Sequence, residues 1–306
     1  MQRTLKDYFV IGLKGMAMGA ADVVPGVSGG TIAFISGIYQ ELVESISNIN
    51  FSLFKTLTKE GFKAFWEKAN ANFLLALITG ILISILSVLK LMHFLLENHP
   101  VQLWAFFFGL VLASIIFVGK QVSKWNFLNI ALLFISAGIA YGLTLLETFS
   151  GADGYLYLFF AGALASCAMI LPGISGAFIL VLLGAYKLVT DAVHEYDFKK
   201  IAAVGLGAII GLLSFSKLLK WLFKNYENAT LAVLTGFILG SLNKIWPWKK
   251  TLKSEIVNGK LIILKERSVF PQNFDGEAYL LTALILGVLG FMTIFLLEKL
   301  GEKNKV

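Results

Sequence analysis

Two short stretches hold the residues with most chemistry to offer. They are Val23-Val24-Pro25-Gly26-Val27-Ser28-Gly29-Gly30-Thr31 and Ile170-Leu171-Pro172-Gly173-Ile174-Ser175-Gly176-Ala177-Phe178. Proline cannot donate a backbone hydrogen bond, glycine adopts dihedrals that other residues avoid, and serine and threonine favour helix starts. In each stretch a helix is expected to stop and begin again. A restarting helix offers unpaired N–H groups and the positive end of its dipole, a combination that suits phosphate or carboxylate. The plainer reading is that Pro and Gly only kink a transmembrane helix.

Charged residues near these breaks are few. Asp22 is the acidic residue nearest the first break, and Met169 stands at its counterpart in the second. An acid at depth marks a coupling ion or a buried pair, so Asp22 is expected either to take H+ or Na+ or to pair with Lys14. Lys90 and Lys217 occupy equivalent positions near span ends. They either snorkel to the interface or pair with an anionic group. Tyr39 and Tyr186 read as interfacial aromatics. The single cysteine, Cys167, excludes an intrachain disulfide and any cysteine-based metal site. Neither a metal site nor a cofactor is expected beyond a coupling H+ or Na+.

The elements that position these residues must lie in a membrane. The 306 residues are 57% hydrophobic and only 15% charged, with mean hydropathy +0.78, whereas a soluble chain carries roughly 25% charged residues. The surplus of +7 comes mostly from lysine. In a membrane protein that reflects loops facing anionic lipid, so no nucleic-acid partner is expected. Residues 8–47 and 155–190 read as re-entrant hairpins around the two breaks, because each arm is short for a span of about 20 residues. Spans are expected at about 73–96, 101–119 and 127–146, then at 201–223, 229–245 and 278–297. Residues 48–72 alternate lysines with Phe51, Phe54, Phe62, Phe65 and Trp66, the pattern of an amphipathic helix on the membrane surface or of a solvated connector. Asn258-Gly259 between apolar runs predicts a β-hairpin.

The breaks align without a gap. Pro25 matches Pro172, Gly26 matches Gly173, Ser28 matches Ser175, Gly29 matches Gly176 and Gly37 matches Gly184. A second offset pairs Gly80 with Gly207, Lys90 with Lys217, Gly109 with Gly236 and Ser114 with Ser241. The chain therefore reads as an all-α polytopic membrane protein made of two repeats, 1–150 and 151–306, in one membrane domain. A hairpin plus three crossings flips the second copy, so the repeats are expected in inverted topology, a recurrent plan of secondary transporters. Alternate connectors carry the lysines, which puts the N-terminus in the cytoplasm. The basic 246–277 connector then falls on the outer side, against that rule.

The run from Gly15 through Thr31-Ile32-Ala33-Phe34 to Gly37-Ile38-Tyr39, with Pro172-Gly173-Ile174-Ser175-Gly176, resembles the polyprenyl-phosphate transporter family (PopT-type). The resemblance implies an inner-membrane carrier that returns undecaprenyl phosphate to the cytoplasmic leaflet for reuse in cell-wall synthesis. A phosphate head group would then take amides of Ser28, Gly29, Gly30 and Thr31 and hydroxyls of Ser28, Thr31 and Ser175. Pro25, Gly26, Pro172, Gly173 and Gly176 would shape the turns, and Lys90 and Lys217 would supply charge.

Two rivals are weighed against this. Integral-membrane polyprenyl-diphosphate phosphatases resemble the same plan, but they follow the turn serine with arginine and use paired glutamates. Gly29 and Gly176 stand at those positions, and neither Arg3 nor Arg267 reaches the bilayer middle, so no guanidinium is at hand for phosphoryl transfer. His93, His99 and His194 lack the context of a histidine nucleophile. Hydrolysis is not expected. The other rival is an ion or small-anion transporter, which would need a closed aqueous path where a lipid carrier needs a lateral opening.

Overall fold

The computed structural model describes residues 3–23, 28–146, 154–257 and 260–302. The chain is a mostly helical membrane protein. In order, the first half forms α1 (Leu5–Val23), α2 (Gly29–Ile35), α3 (Tyr39–Asn48), α4 (Phe51–Lys59), α5 (Gly61–Lys68), α6 (Ala71–Asn98), α7 (Pro100–Gln121) and α8 (Phe127–Leu145). The second half forms α9 (Tyr155–Ile170), α10 (Gly176–Leu182), α11 (Ala185–His194), α12 (Phe198–Ser241), strands β1 (Lys249–Val257) and β2 (Lys260–Ser268), and α13 (Leu280–Glu302). Among the described residues, α6, α7, α8 and α12 are long and apolar enough to cross a membrane. The strands pair antiparallel as the expected hairpin; Asn258 and Gly259 at its tip lie outside the described residues.

The expected spans at 201–223 and 229–245 occur as one helical run, α12, interrupted at Tyr226 (φ −139°, ψ 48°). The matching residue of the first half is His99 (φ −136°, ψ 47°), between α6 and α7. A Pro at the first position of α7 makes that joint a clean break; Tyr226 has no such neighbour. Other matched positions also share geometry. Ser28 and Ser175 precede α2 and α10 in extended conformation, and Gly37 (φ 72°) and Gly184 (φ 70°) turn the chain toward α3 and α11. Such positive φ favours glycine.

The long helices meet through glycine. On α6 the backbones of Leu77 and Ile81 abut Gly15 and Gly19 of α1, so the two helices run parallel. Gly162 of α9 abuts Val204 of α12, and Gly211 abuts Ala163. The two halves also pack on each other: Gly236 and Gly240 of α12 lie on Leu133 and Ala137 of α8, and Gly109 of α7 lies on Gly287 of α13. Without side chains, backbones approach closely, which is how helices associate where lipid removes the hydrophobic drive. The buried core behind these seams includes Ile11, Met18, Phe34, Phe73, Leu77, Phe107, Leu234 and Ile238.

Two expectations change in detail. Residues 48–72 form two helices, α4 and α5, divided at Glu60 and at Gly61 (φ 86°). Phe51, Phe54 and Phe62 are exposed there beside the lysines. Tyr39 is not interfacial: it is 2% exposed and packs on Phe34 and Phe223.

Gly80→Leu and Gly207→Leu drive a side chain into the backbones of Gly12 and Phe159. Each is expected to cost more than the ~1–3 kcal/mol of ordinary overpacking and to abolish a monodisperse detergent-solubilised peak. Gly138→Leu, with open space around it, leaves that peak intact.

Candidate functional site

The two breaks touch. The Ser28 hydroxyl donates to the Leu171 carbonyl (3.2 Å), and the Gly173 N–H donates to the Thr31 hydroxyl (2.9 Å). Between these bonds Gly30 lies flat against the chain end of α9, where a Cβ would stand 2.5 Å from the Ile170 carbonyl oxygen. Only glycine allows that approach. Ser28, Gly29, Gly30 and Thr31 are all buried, as is Pro172, whereas Gly173, Ser175 and Gly176 are half-buried. Pro25 and Gly26 lie outside the described residues, and so does the Lys90 side chain.

At the first break the start of α2 is already satisfied. The Asp22 carboxylate accepts from the Gly29 N–H at 2.6 Å, the Ser28 hydroxyl accepts from the Gly30 N–H at 3.2 Å, and the Thr31 N–H donates to the Ser28 carbonyl at 2.9 Å. An anion reaching these amides must displace a partner. Lys14 addresses the other end of the same helix, donating from Nζ to the Ser36 carbonyl at 2.6 Å. Eight residues of helix span about 12 Å, so Asp22 and Lys14 on α1 bracket α2, carboxylate at its positive end and ammonium at its negative end. Asp22 and Lys14 thus serve α2 from opposite ends, which bears on the pairing considered from sequence.

The second break is built differently. Ser175 caps no amide of α10. Together with Gly173, Ile174 and Phe178 it lines a small cavity completed by Ala140, Leu143 and Thr144 of α8, Ser241 of α12 and Lys244. The Thr144 hydroxyl accepts from Asn243 (2.7 Å) and donates to the Tyr141 carbonyl (2.7 Å), and the Ser241 hydroxyl donates to the Ile238 carbonyl (2.8 Å). Lys244 Nζ lies 4.8 Å from the Phe178 ring centroid and 3.2 Å from Glu266 of β2. Glu266 also takes Lys249 of β1, at 3.4 Å, and Lys249 rests over the Trp104 ring and donates to the Lys244 carbonyl. Burial lowers the Lys249 ammonium to about 8, with Glu266 opposing the shift and Lys244 adding to it. Burial pushes the Glu266 carboxyl up, but the Lys249 and Lys244 ammonium groups outweigh it and hold it below its usual range.

Lys217 lies on α12 beyond the Gly211 contact and is exposed. Sequence spacing gives no site role to Lys244, Thr144 or Ser241, although Ser241 aligns with Ser114. Among the described residues no three His, Cys, Asp or Glu side chains cluster as a metal site would need.

A family model described as undecaprenyl phosphate translocase-like matches residues 18–262. The chain belongs to that family. A polyprenyl-phosphate transporter of Vibrio cholerae is 43% identical to this translocase-like chain over 302 residues, covering 97% of the chain and 98% of the relative. A polyprenyl-phosphate transporter of Staphylococcus aureus is 34% identical over 254 residues, 77% of the chain and 85% of the relative. No solved structure matches the translocase-like chain.

Asp22→Ala removes the acceptor of the Gly29 amide, and a bond to a charged group contributes about 1.5–3 kcal/mol. The chain is expected to lose that much in a denaturant titration, and Asp22→Asn, which keeps an oxygen acceptor, to lose less. Glu266→Ala leaves two ammonium groups, one of them deeply buried, without a counter-charge, and is expected to cost about 3–5 kcal/mol in the same titration.

Proposed function

We propose that this chain carries a polyprenyl phosphate, of the undecaprenyl phosphate class, across the cytoplasmic (inner) membrane, returning the lipid carrier for reuse in cell-wall synthesis. The observation that carries the reading is the contact between the two breaks, Ser28 with Leu171 and Thr31 with Gly173. Irregular backbone at membrane depth persists where it is buried in protein or lines a cavity, and here it is irregular in two places that meet. The names of the Vibrio cholerae and Staphylococcus aureus relatives supply the substrate class.

In this reading residues 1–150 and 151–306 are repeats of inverted topology, each a re-entrant hairpin followed by three spans, with the N-terminus in the cytoplasm. Matched geometry at Gly37 and Gly184 and at His99 and Tyr226 supports the duplication. Alternating access is rocking of one repeat against the other about the paired breaks. The phosphate binds at the breaks through Ser28, Gly29, Gly30, Thr31, Gly173, Ser175 and Gly176, on turns set by Pro25, Gly26 and Pro172. Lys90 and Lys217 steer the head group from the span ends.

Asp22 is the coupling residue. Its carboxylate already holds the Gly29 amide, so a negatively charged group is accommodated at that position. Protonation of Asp22, or its capture of Na+, would release the amide to the phosphate and link entry of the lipid to the ion. Transport without hydrolysis agrees with glycine, and not arginine, after each turn serine.

Purified chain in proteoliposomes is expected to exchange a fluorescent prenyl phosphate between leaflets without releasing inorganic phosphate. Ser28→Ala and Asp22→Asn are each expected to lower the exchange rate at least tenfold while membrane insertion stays normal. Release of phosphate, or wild-type exchange in both variants, would overturn the reading.

A further inference from the structure

The basic 246–277 connector is a charged feature that the transport reading leaves unused, and part of it does not behave as a solvated loop. Of its lysines, Lys250 pairs at the surface with Asp275, but Lys249 turns inward under the β-hairpin. Its side chain is 9% exposed, against 16% for Glu266 and 23% for Lys244. Trp246 and Trp248 close the connector on itself through bonds to the Val269 and Ala278 carbonyls, and Trp246 packs edge-on against Phe108 of α7. One carboxylate is thus shared by two ammonium groups in a largely buried cluster. Glu266 balances one positive charge and leaves one over. A buried charge without a partner is costly, so the cluster is set up to receive an anion.

The geometry says which lysine is the spare one. Lys249 is held by Glu266, by the Lys244 carbonyl and over the Trp104 ring, and it does not line the cavity. Lys244 does line it, beside Phe178 and across from Ser175. Two donors therefore face this space without a full set of partners: an ammonium with protons to spare and a serine hydroxyl that caps no amide. Of the other lining residues, Ala140, Leu143, Ile174 and Phe178 are apolar, and the Thr144 and Ser241 hydroxyls already donate to carbonyls of their own helices, a setting that strengthens a charge-assisted bond.

We propose that Lys244, with Ser175, forms a phosphate monoester subsite on the hairpin side of the second break, with Glu266 and Lys249 as its positioning groups. This deepens the transport reading and rests on it. The cavity is narrow in this conformation, so the phosphate enters as α8 and α10 part, the movement that alternating access requires. Lys244 then exchanges Glu266 for the phosphate, and Glu266 stays neutralised by Lys249. The arrangement gives the inward-turned lysine of the connector a role as part of a docking post, in place of a loop that breaks the charge rule.

The test is binding of farnesyl phosphate, a short soluble prenyl monophosphate, to the full chain in nanodiscs by calorimetry, with farnesol and inorganic phosphate as parallel arms. Wild type is expected to bind farnesyl phosphate and not farnesol. Binding of inorganic phosphate at equal strength would mean a site for the free anion and would overturn the lipid assignment. Lys244→Gln removes the surplus charge and leaves Lys249 and Glu266 as a one-to-one pair, so the fold is expected to hold by thermal melt. It should weaken binding at least tenfold, with Lys244→Arg restoring it to within a few-fold and Lys250→Gln leaving it unchanged. Should Lys244→Gln fail to fold, Ser175→Ala carries the same test with a smaller, few-fold loss. Undiminished binding in the folded Lys244→Gln variant, or in Ser175→Ala where that variant decides, would overturn the subsite while transport by wild type continues. Absence of prenyl phosphate exchange in wild type would instead remove the transport reading itself.

Discussion

Backbone that leaves the helical path inside a membrane must find its hydrogen-bond partners within the protein, and this constraint organises the whole chain. Side chains of the first half satisfy backbone groups at the second break. The Ser28 hydroxyl serves the Leu171 carbonyl and the Thr31 hydroxyl serves the Gly173 amide. The close glycine seams between α1 and α6 and between α9 and α12 hold the hairpins against the long helices so that these bonds can form.

The two turns do not remain equivalent. In the first, Asp22 and Lys14 clasp both ends of a seven-residue helix and leave its first amides engaged. In the second, Met169 replaces the acid, Ser175 caps nothing and a cavity opens toward Lys244. The first break is thus closed by a carboxylate of its own half, whereas the second opens on a cavity lined by Lys244.

Much of this was legible in the residues. Uniform apolar runs marked α6, α7 and α8 to within a few positions, because lipid imposes a length and forbids charge. The Pro-Gly turns announced themselves through residues whose backbone chemistry is special, and the Asn-Gly signal found the β-hairpin. The division of 48–72 into α4 and α5 depended on Gly61 alone, and the continuity of α12 across Tyr226 left no local mark. Lys244 was hidden for a different reason. It falls at the end of a run counted as a span, and the wall that makes it part of a cavity comes from α8, far away in sequence. No periodicity records a contact between halves. The partners of Asp22 and Lys14, Gly29 at the start of α2 and Ser36 just past its end, lie in the same half but follow from how that short helix folds back along α1, which periodicity does not record either.

The packing of the two halves on each other bears on how the molecule can be made. As synthesis proceeds, α8 leaves the ribosome well before the part of α12 that carries Gly236 and Gly240, its docking surface, exists. It must wait in lipid, or against the insertion machinery, with its small-residue face unoccupied. The last helix, α13, then closes onto α7, which was threaded long before. Severing the chain near its midpoint would yield two fragments that each lack a wall, so neither would be an independent building block; reunited in one bilayer, they hold the complementary surfaces to reassemble.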